Sequence, residues 1–121
     1  MTLGDKQRLF MKLLGEFLVW IYDNNYEVSG GELKRSQAQS ALNAAAGIGI
    51  ANSNHIRSLA IDLNLFIDKT PTGDEDIYQT TTEAYLPLGL KWESMHPLCR
   101  WGGRFHRPDG NHFSLEHEGI R

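Results

Sequence analysis

At 121 residues, with 40% hydrophobic and 22% charged side chains, the chain is sized and composed for one globular domain spanning 1–121. These values exclude a disordered, collagen-like or membrane-embedded chain. Twelve basic against fifteen acidic residues give a formal charge of −3, without the concentrated positive field that non-specific nucleic-acid binding needs. The single Cys99 cannot form an internal disulfide, so the fold does not depend on an oxidising compartment. No stretch reaches the roughly 18 apolar residues of a membrane span, so no membrane anchor is expected. The early apolar run Phe17–Ile21 is short and has no basic lead, so no signal peptide is expected.

In chain order, residues 5–24 read as an amphipathic helix. Leu9, Leu13, Phe17 and Trp20 form one stripe, flanked by Phe10, Leu14 and Ile21. Asp23-Asn24-Asn25 ends it, and Tyr26-Glu27-Val28 reads as a short strand before Gly30-Gly31. A second helix is expected from Ser36, with Gln39 completing a capping box, to Gly47 and Gly49. Arg35 would then sit beside a helix N-terminus, where backbone N–H groups favour negative charge. Residues 59–67 alternate: Leu59, Ile61, Leu63, Leu65 and Ile67 face one way, with Asp62 and Asn64 on the polar side of this strand. Thr70 to Asp76 reads as a solvated loop. A third helix is expected over about 81–95, with Tyr85, Leu88, Trp92 and Met95 on one face and Pro87 kinking it or marking its start. A Gly-rich loop (Trp101-Gly102-Gly103), a turn at Asp109-Gly110 and a final strand, His112–Glu116, close the chain. Phe113 and Leu115 of that strand point to the core, and Cys99 reads as a small buried hydrophobe. Helices and strands without βαβ alternation give an α+β fold: a small antiparallel sheet packed against about three helices.

Two patterns carry chemistry: His55 with Asp62, and Asp109 with His112. Spacing alone is weak, since single histidines are commonly surface or hydrogen-bonded core residues. Placement is stronger, because Asp62 and His112 lie on polar faces of expected strands and His55 in the turn entering the first. Two imidazoles and a carboxylate from separate elements suit a three-ligand Zn2+ site with an open fourth position. Asp109 could take the proton of a water at that site, although Asp-Gly is also a natural turn. Glu116 is a fallback base. His96, His106 and His117 have no assigned role. No nucleophile signature or phosphate loop competes.

Ser53-Asn54-His55-Ile56-Arg57-Ser58-Leu59-Ala60-Ile61-Asp62-Leu63 resembles the S-x-H-x-x-G-x-A-x-D-L signature of zinc D-Ala-D-Ala carboxypeptidases and L-alanyl-D-glutamate endopeptidases. Trp101-Gly102-Gly103-Arg104-Phe105 followed by Asp109-Gly110-Asn111-His112-Phe113 is similar to the W-G-G…D-x-x-H-F end of the phage-lysin endopeptidases. Arg35 with Gln39 resembles the arginine stretch ahead of that site, so the likeness runs from about Gly31 to Leu115. The resemblance implies a Hedgehog-like fold, with His55, Asp62 and His112 as zinc ligands and Asp109 as general base. It also implies that Arg35 holds a substrate carboxylate or the developing oxyanion. Ser53 and Trp101 would then lie beside substrate, Ser53 also being able to cap its turn and Trp101 to pack under the site. The family glycine is Ser58 here; if that position needs a positive φ, the serine strains it.

The resemblance therefore implies a zinc metallopeptidase acting on peptidoglycan stem peptides, at the L-Ala–D-Glu bond. A D-Ala-D-Ala carboxypeptidase is the close alternative, and a non-catalytic zinc-containing binding or assembly module the more distant one. A monomeric phage or prophage lysis enzyme is expected in the host cytoplasm until a holin-type partner releases it. A virion-associated component is the other setting.

Overall fold

The structure, a computed structural model, describes residues 1–31, 33, 53–68 and 76–121. The expected helix from Ser36, Arg35 and nearly all of the acidic loop lie outside the described residues. The fold is α+β, with two α-helices and a five-stranded antiparallel sheet among the described residues.

Helix α1 (Leu3–Asp23) starts at a capping box in which Thr2 and Asp5 satisfy each other's backbone N–H groups. Its buried face is Phe10, Leu13, Leu14, Phe17 and Ile21, while Leu9 and Trp20 are half-buried. The stripe is therefore rotated slightly from the expected one. Phe10 and Phe17 set the rotation, packing on Trp92 at ring distances of 5.8 and 5.1 Å, and Phe17 also meets Phe113 at 5.1 Å. Asn25, at φ 63°, turns the chain into β1 (Glu27–Gly30). A 3-10 turn (Asn54–Arg57) leads into β2 (Ala60–Asp68), followed by β3 (Asp76–Tyr78).

Helix α2 (Thr82–Met95) is capped by Thr81, whose hydroxyl accepts from the Ala84 N–H at 3.2 Å. Pro87 does not mark the helix start: the helix begins five residues earlier and carries the proline on its exposed side. Tyr85, Leu88 and Trp92 are buried as the periodicity requires, and Met95 is half-buried. Strand β4 (Cys99–Trp101), a 3-10 turn (Gly102–Arg104) and β5 (His112–Leu115) complete the order. Cys99 is buried, and burial pushes its thiol up to about 12, so it is no nucleophile. Among the described residues no helix is long and apolar enough to cross a membrane.

β2 organises the sheet. One edge pairs with β1, Val28 opposite Leu65. The other edge changes partner along its length: Ala60–Asp62 pair with β5, and Phe66–Asp68 with β3. In between, the Leu63 N–H donates to the Asn111 carbonyl at 2.9 Å and the Leu65 N–H to the Tyr85 hydroxyl at 2.9 Å. Leu59, Ile61, Leu63 and Leu65 point into the core with Phe113 and Leu115. Asp62, Asn64 and Phe66 alternate onto the opposite face.

The second helix meets β4 through a glycine. A Cβ on Gly89 would overlap the Trp101 indole, whose N–H is fixed on the Gly110 carbonyl at 2.7 Å. Alanine there would gain up to about 1 kcal/mol of helix propensity. Overpacking against an indole that cannot swing away costs about 1–3 kcal/mol and is the larger effect. Gly89→Ala is therefore expected to lower unfolding stability by up to about 2 kcal/mol, measured as a reduced urea midpoint at unchanged slope; a gain in stability would refute this packing.

Candidate metal centre

The register places Asp62 directly opposite His112 across β2 and β5, so both side chains leave the same face of the sheet. The third member, His55, comes from the 3-10 turn that feeds β2. That turn begins at Ser53, whose hydroxyl accepts from the His55 N–H at 3.2 Å. The fully buried Asn54 anchors it further, donating to the carbonyls of Leu115 at 2.8 Å and Ile120 at 2.7 Å. His55 and His112 are 2% and 5% exposed, with ring centroids 5.2 Å apart and planes at 76°.

The donor atoms converge. His55 Nε2 lies 3.3 Å from Asp62 Oδ1, His112 Nδ1 lies 3.7 Å from the same oxygen, and one atom from each residue falls within 4.8 Å of the others. His55 Nδ1 is 3.2 Å from the Leu33 carbonyl, which can only accept, so the proton of the neutral ring sits on Nδ1. That leaves the Nε2 lone pair facing a carboxylate oxygen, an arrangement that a cation between them would satisfy. Asp62 Oδ1 is buried and makes no well-oriented hydrogen bond. Ligands about 2.0–2.2 Å from a tetrahedral ion lie roughly 3.4 Å apart, close to the spacings here. Two imidazoles and a carboxylate therefore fit a divalent ion of the zinc type, with room for a fourth ligand.

Electrostatics agree. Burial pushes the Asp62 carboxyl up, but the facing imidazoles of His112 and His55 outweigh it and hold its pKa at about 2. The carboxylate is thus ionised throughout the neutral range.

Asp109 stands beside this trio. Its Oδ2 is 3.9 Å from His112 Nδ1 and its side chain is 55% exposed, open to a bound substrate or water. The backbone fixes it at both ends, the Asp109 N–H donating to the Gly102 carbonyl at 2.8 Å and the His112 N–H to the Asp109 carbonyl at 3.1 Å. Gly102 is required for this approach, since a Cβ there would overlap the Asp109 carbonyl and lie 2.7 Å from His112 Cβ.

Other expected residues fall elsewhere. Ser53 caps the turn that carries His55. Trp101 is 4% exposed, and its indole N–H donates to the Gly110 carbonyl, supporting the loop that carries Asp109. Glu116 pairs with Arg100 at 3.2 Å, four strand residues beyond His112 and about 13 Å from it, too far to serve as base. His96 accepts from the Leu98 N–H, and His117 meets Lys6 at 3.1 Å. Arg35 lies outside the described residues. Sequence reasoning missed Asn54, Gly102 and Phe105, whose ring packs 5.2 Å from that of His112. Of these only Gly102, inside a Trp-Gly-Gly run, carried a signal.

Ser58, in the place of the family glycine, adopts φ 55° and ψ 39°, the left-handed cap of the 3-10 turn. A non-glycine residue there carries about 1–2 kcal/mol of steric cost.

A family model described as D-alanyl-D-alanine carboxypeptidase matches residues 46–115, a span holding His55, Asp62, Asp109 and His112. No match occurs among curated proteins. Among solved structures, the L-Ala D-Glu endopeptidase ChiX of Serratia marcescens is similar at a TM-score of 0.55 and 24% identity, over 75% of this chain. At that identity the likeness concerns the fold, and the chain spans 66% of that protein's length.

Ser58→Gly is expected to raise unfolding stability by about 1 kcal/mol, read from denaturant midpoints; no gain would place the strain elsewhere. A Zn2+ titration across pH gives a second test. Because Asp62 stays ionised down to about 2, protons compete with the metal only at the two imidazoles. Apparent affinity should therefore fall by about two log units per pH unit in the acid limit, whereas a slope of three would mean that Asp62 also takes a proton.

Proposed function

The chain belongs to the D-alanyl-D-alanine carboxypeptidase family, and on that premise we propose that it is a zinc-dependent peptidase cutting peptidoglycan stem peptides at the L-Ala–D-Glu bond. The observation that carries this reading is the convergence of His55 Nε2, Asp62 Oδ1 and His112 Nδ1, with the Asp109 carboxylate 3.9 Å from His112. Those three atoms would hold the ion. Bound zinc supplies Lewis-acid polarisation of the scissile carbonyl and a lowered pKa for water.

The protein's own residues do the rest. Asp109, its carboxylate open to solvent, takes the proton of the attacking water and returns it to the leaving amine. The Nδ1–H bond from His55 to the Leu33 carbonyl keeps the ring's other lone pair turned to the site. We assign Arg35, from the matched motif, to the substrate carboxylate or the oxyanion. Ser53, whose hydroxyl oxygen accepts from the His55 N–H, would act on substrate through its hydroxyl hydrogen or its second lone pair.

The L-Ala–D-Glu bond is favoured by the Trp101-Gly102-Gly103 and Asp109-x-x-His112 ending, similar to the phage-type endopeptidases, which also supports a role in wall lysis. The ChiX likeness supports the same fold. A second reading, removal of terminal D-Ala, is favoured by the description of the matching family.

Mass spectrometry of purified stem peptides incubated with the zinc-loaded protein, beside a chelated control, decides among these. A zinc-dependent product ending in L-Ala is expected, whereas release of free D-Ala would move the assignment to the carboxypeptidase. Asp109→Asn should lower kcat by about 10²–10⁴ with zinc still bound. Full activity in that variant would remove Asp109 from the chemistry.

A further inference from the structure

The open face of the sheet continues past the metal centre. Along β2, Asn64 follows Asp62 and Phe66 follows Asn64, each about 7 Å further on. Opposite Phe66 stands Tyr78 of β3, half exposed, the two rings 5.5 Å apart and tilted by 43°. Between the ends, Asn111 donates to the Asn64 side-chain oxygen at 3.3 Å. Here, where β2 passes from β5 to β3, a cleft of about 210 Å³ opens, lined among others by Tyr78, Thr80, Thr81, Thr82, Asp109 and Asn111. Its volume is about seven waters' worth, the scale of one sugar ring.

The cleft is polar but nearly uncharged, Asp109 being the single ionisable acid or base of its described lining apart from tyrosine hydroxyls. Its floor is already formed. The Tyr85 hydroxyl accepts from the Leu65 N–H and donates to the Gln79 carbonyl at 3.2 Å, so it is a wall and not a ligand.

Resting on the peptidase reading above, we propose that this cleft, together with the Asn64–Phe66 face of β2 beside it, is the subsite for the N-acetylmuramoyl end of the stem peptide, with Asn111 and the neighbouring Asn64 on the lactoyl–alanyl amide and Tyr78, backed by Phe66, against the sugar ring. Charge selects this end. The residues beyond the L-Ala–D-Glu bond carry carboxylates, which Asp109 would repel. The sugar side offers a neutral N-acetyl group, hydroxyls and an amide, matching the hydroxyl and carboxamide lining. Reach agrees as well. Alanyl and lactoyl units, each about one residue long, span about 7 Å from the scissile carbonyl, bringing the ring over the stretch that ends at Phe66 and Tyr78, about 13 Å from Asp62. Aromatic faces present the broad apolar contact that sugar C–H groups pack against.

The experiment compares kcat/KM of the zinc-loaded protein on an N-acetylmuramoyl tripeptide and on the same tripeptide with an N-acetyl group in place of the sugar. The wild type should prefer the muramoyl substrate about tenfold or more. Tyr78→Ala and Asn111→Ala should each cut that ratio at least about fivefold, mainly through KM, and Tyr78→Phe should restore it. Equal rates in the wild type, or a ratio untouched by Tyr78→Ala and Asn111→Ala, would overturn the subsite and leave the peptidase standing. If neither peptide is cut, the peptidase reading fails, and NMR titration with N-acetylmuramoyl-L-alanine judges the cleft separately. Shifts at the Tyr78, Thr81 and Asn111 amides that Tyr78→Ala abolishes would support it, and their absence would overturn it.

Discussion

The pairing of Asp62 with His112 across two antiparallel strands is the constraint on which the rest of the site depends. Side chains alternate strictly along a strand, so this register fixes both candidate ligands on one face and commits Ile61 and Phe113, the adjacent pair, to the core. A slip of one residue would bury Asp62 among leucines and send the hydrophobic set into solvent. The burial of Leu59, Ile61, Leu63 and Leu65 thus stabilises the metal centre's geometry without touching it. Trp92 holds β5 from behind, through a ring contact to Phe113 and an indole N–H bond to the Ser114 carbonyl at 3.0 Å.

His55 reaches the pair by a different device. Its turn is too short to be stable alone, and Asn54 ties it to the carbonyls of Leu115, at the end of the strand that carries His112, and of Ile120 beyond it. One buried amide therefore links the two histidines through the backbone. The turn is left through Ser58 in a left-handed conformation, a strain that lies outside the ligand set. Two imidazoles and a carboxylate brought together with so little exposure would be costly without a cation among them.

The change of partner along the edge of β2 has a second consequence. A sheet continuous from β5 to β3 would leave no opening beside Asp109. The break between them creates a polar cleft contiguous with the site, floored by Tyr85 and Gly110, whose positions are set by hydrogen bonds to β2 and to Trp101. The binding surface is thus a by-product of how the sheet closes on α2.

Sequence alone determined the long periodic elements. α1, β2, the burial face of α2 and the core side of β5 were legible because each repeats its apolar period often enough to be unambiguous. That His55, Asp62 and His112 come together beside Asp109 was legible because two imidazoles, a carboxylate and a turn acid stood in a recognisable order. The three-residue strands β3 and β4 were not, since such a segment holds no full period and exists only through its partner. The rotation of α1 toward Phe10 likewise depended on packing partners distant from the periodic pattern. Tertiary structure alone decided that the Asp62 and His112 positions are opposite one another, that Glu116 is out of reach, and that Asn54 positions His55. Those are facts of register and long-range hydrogen bonding, and a linear pattern of residue types contains neither.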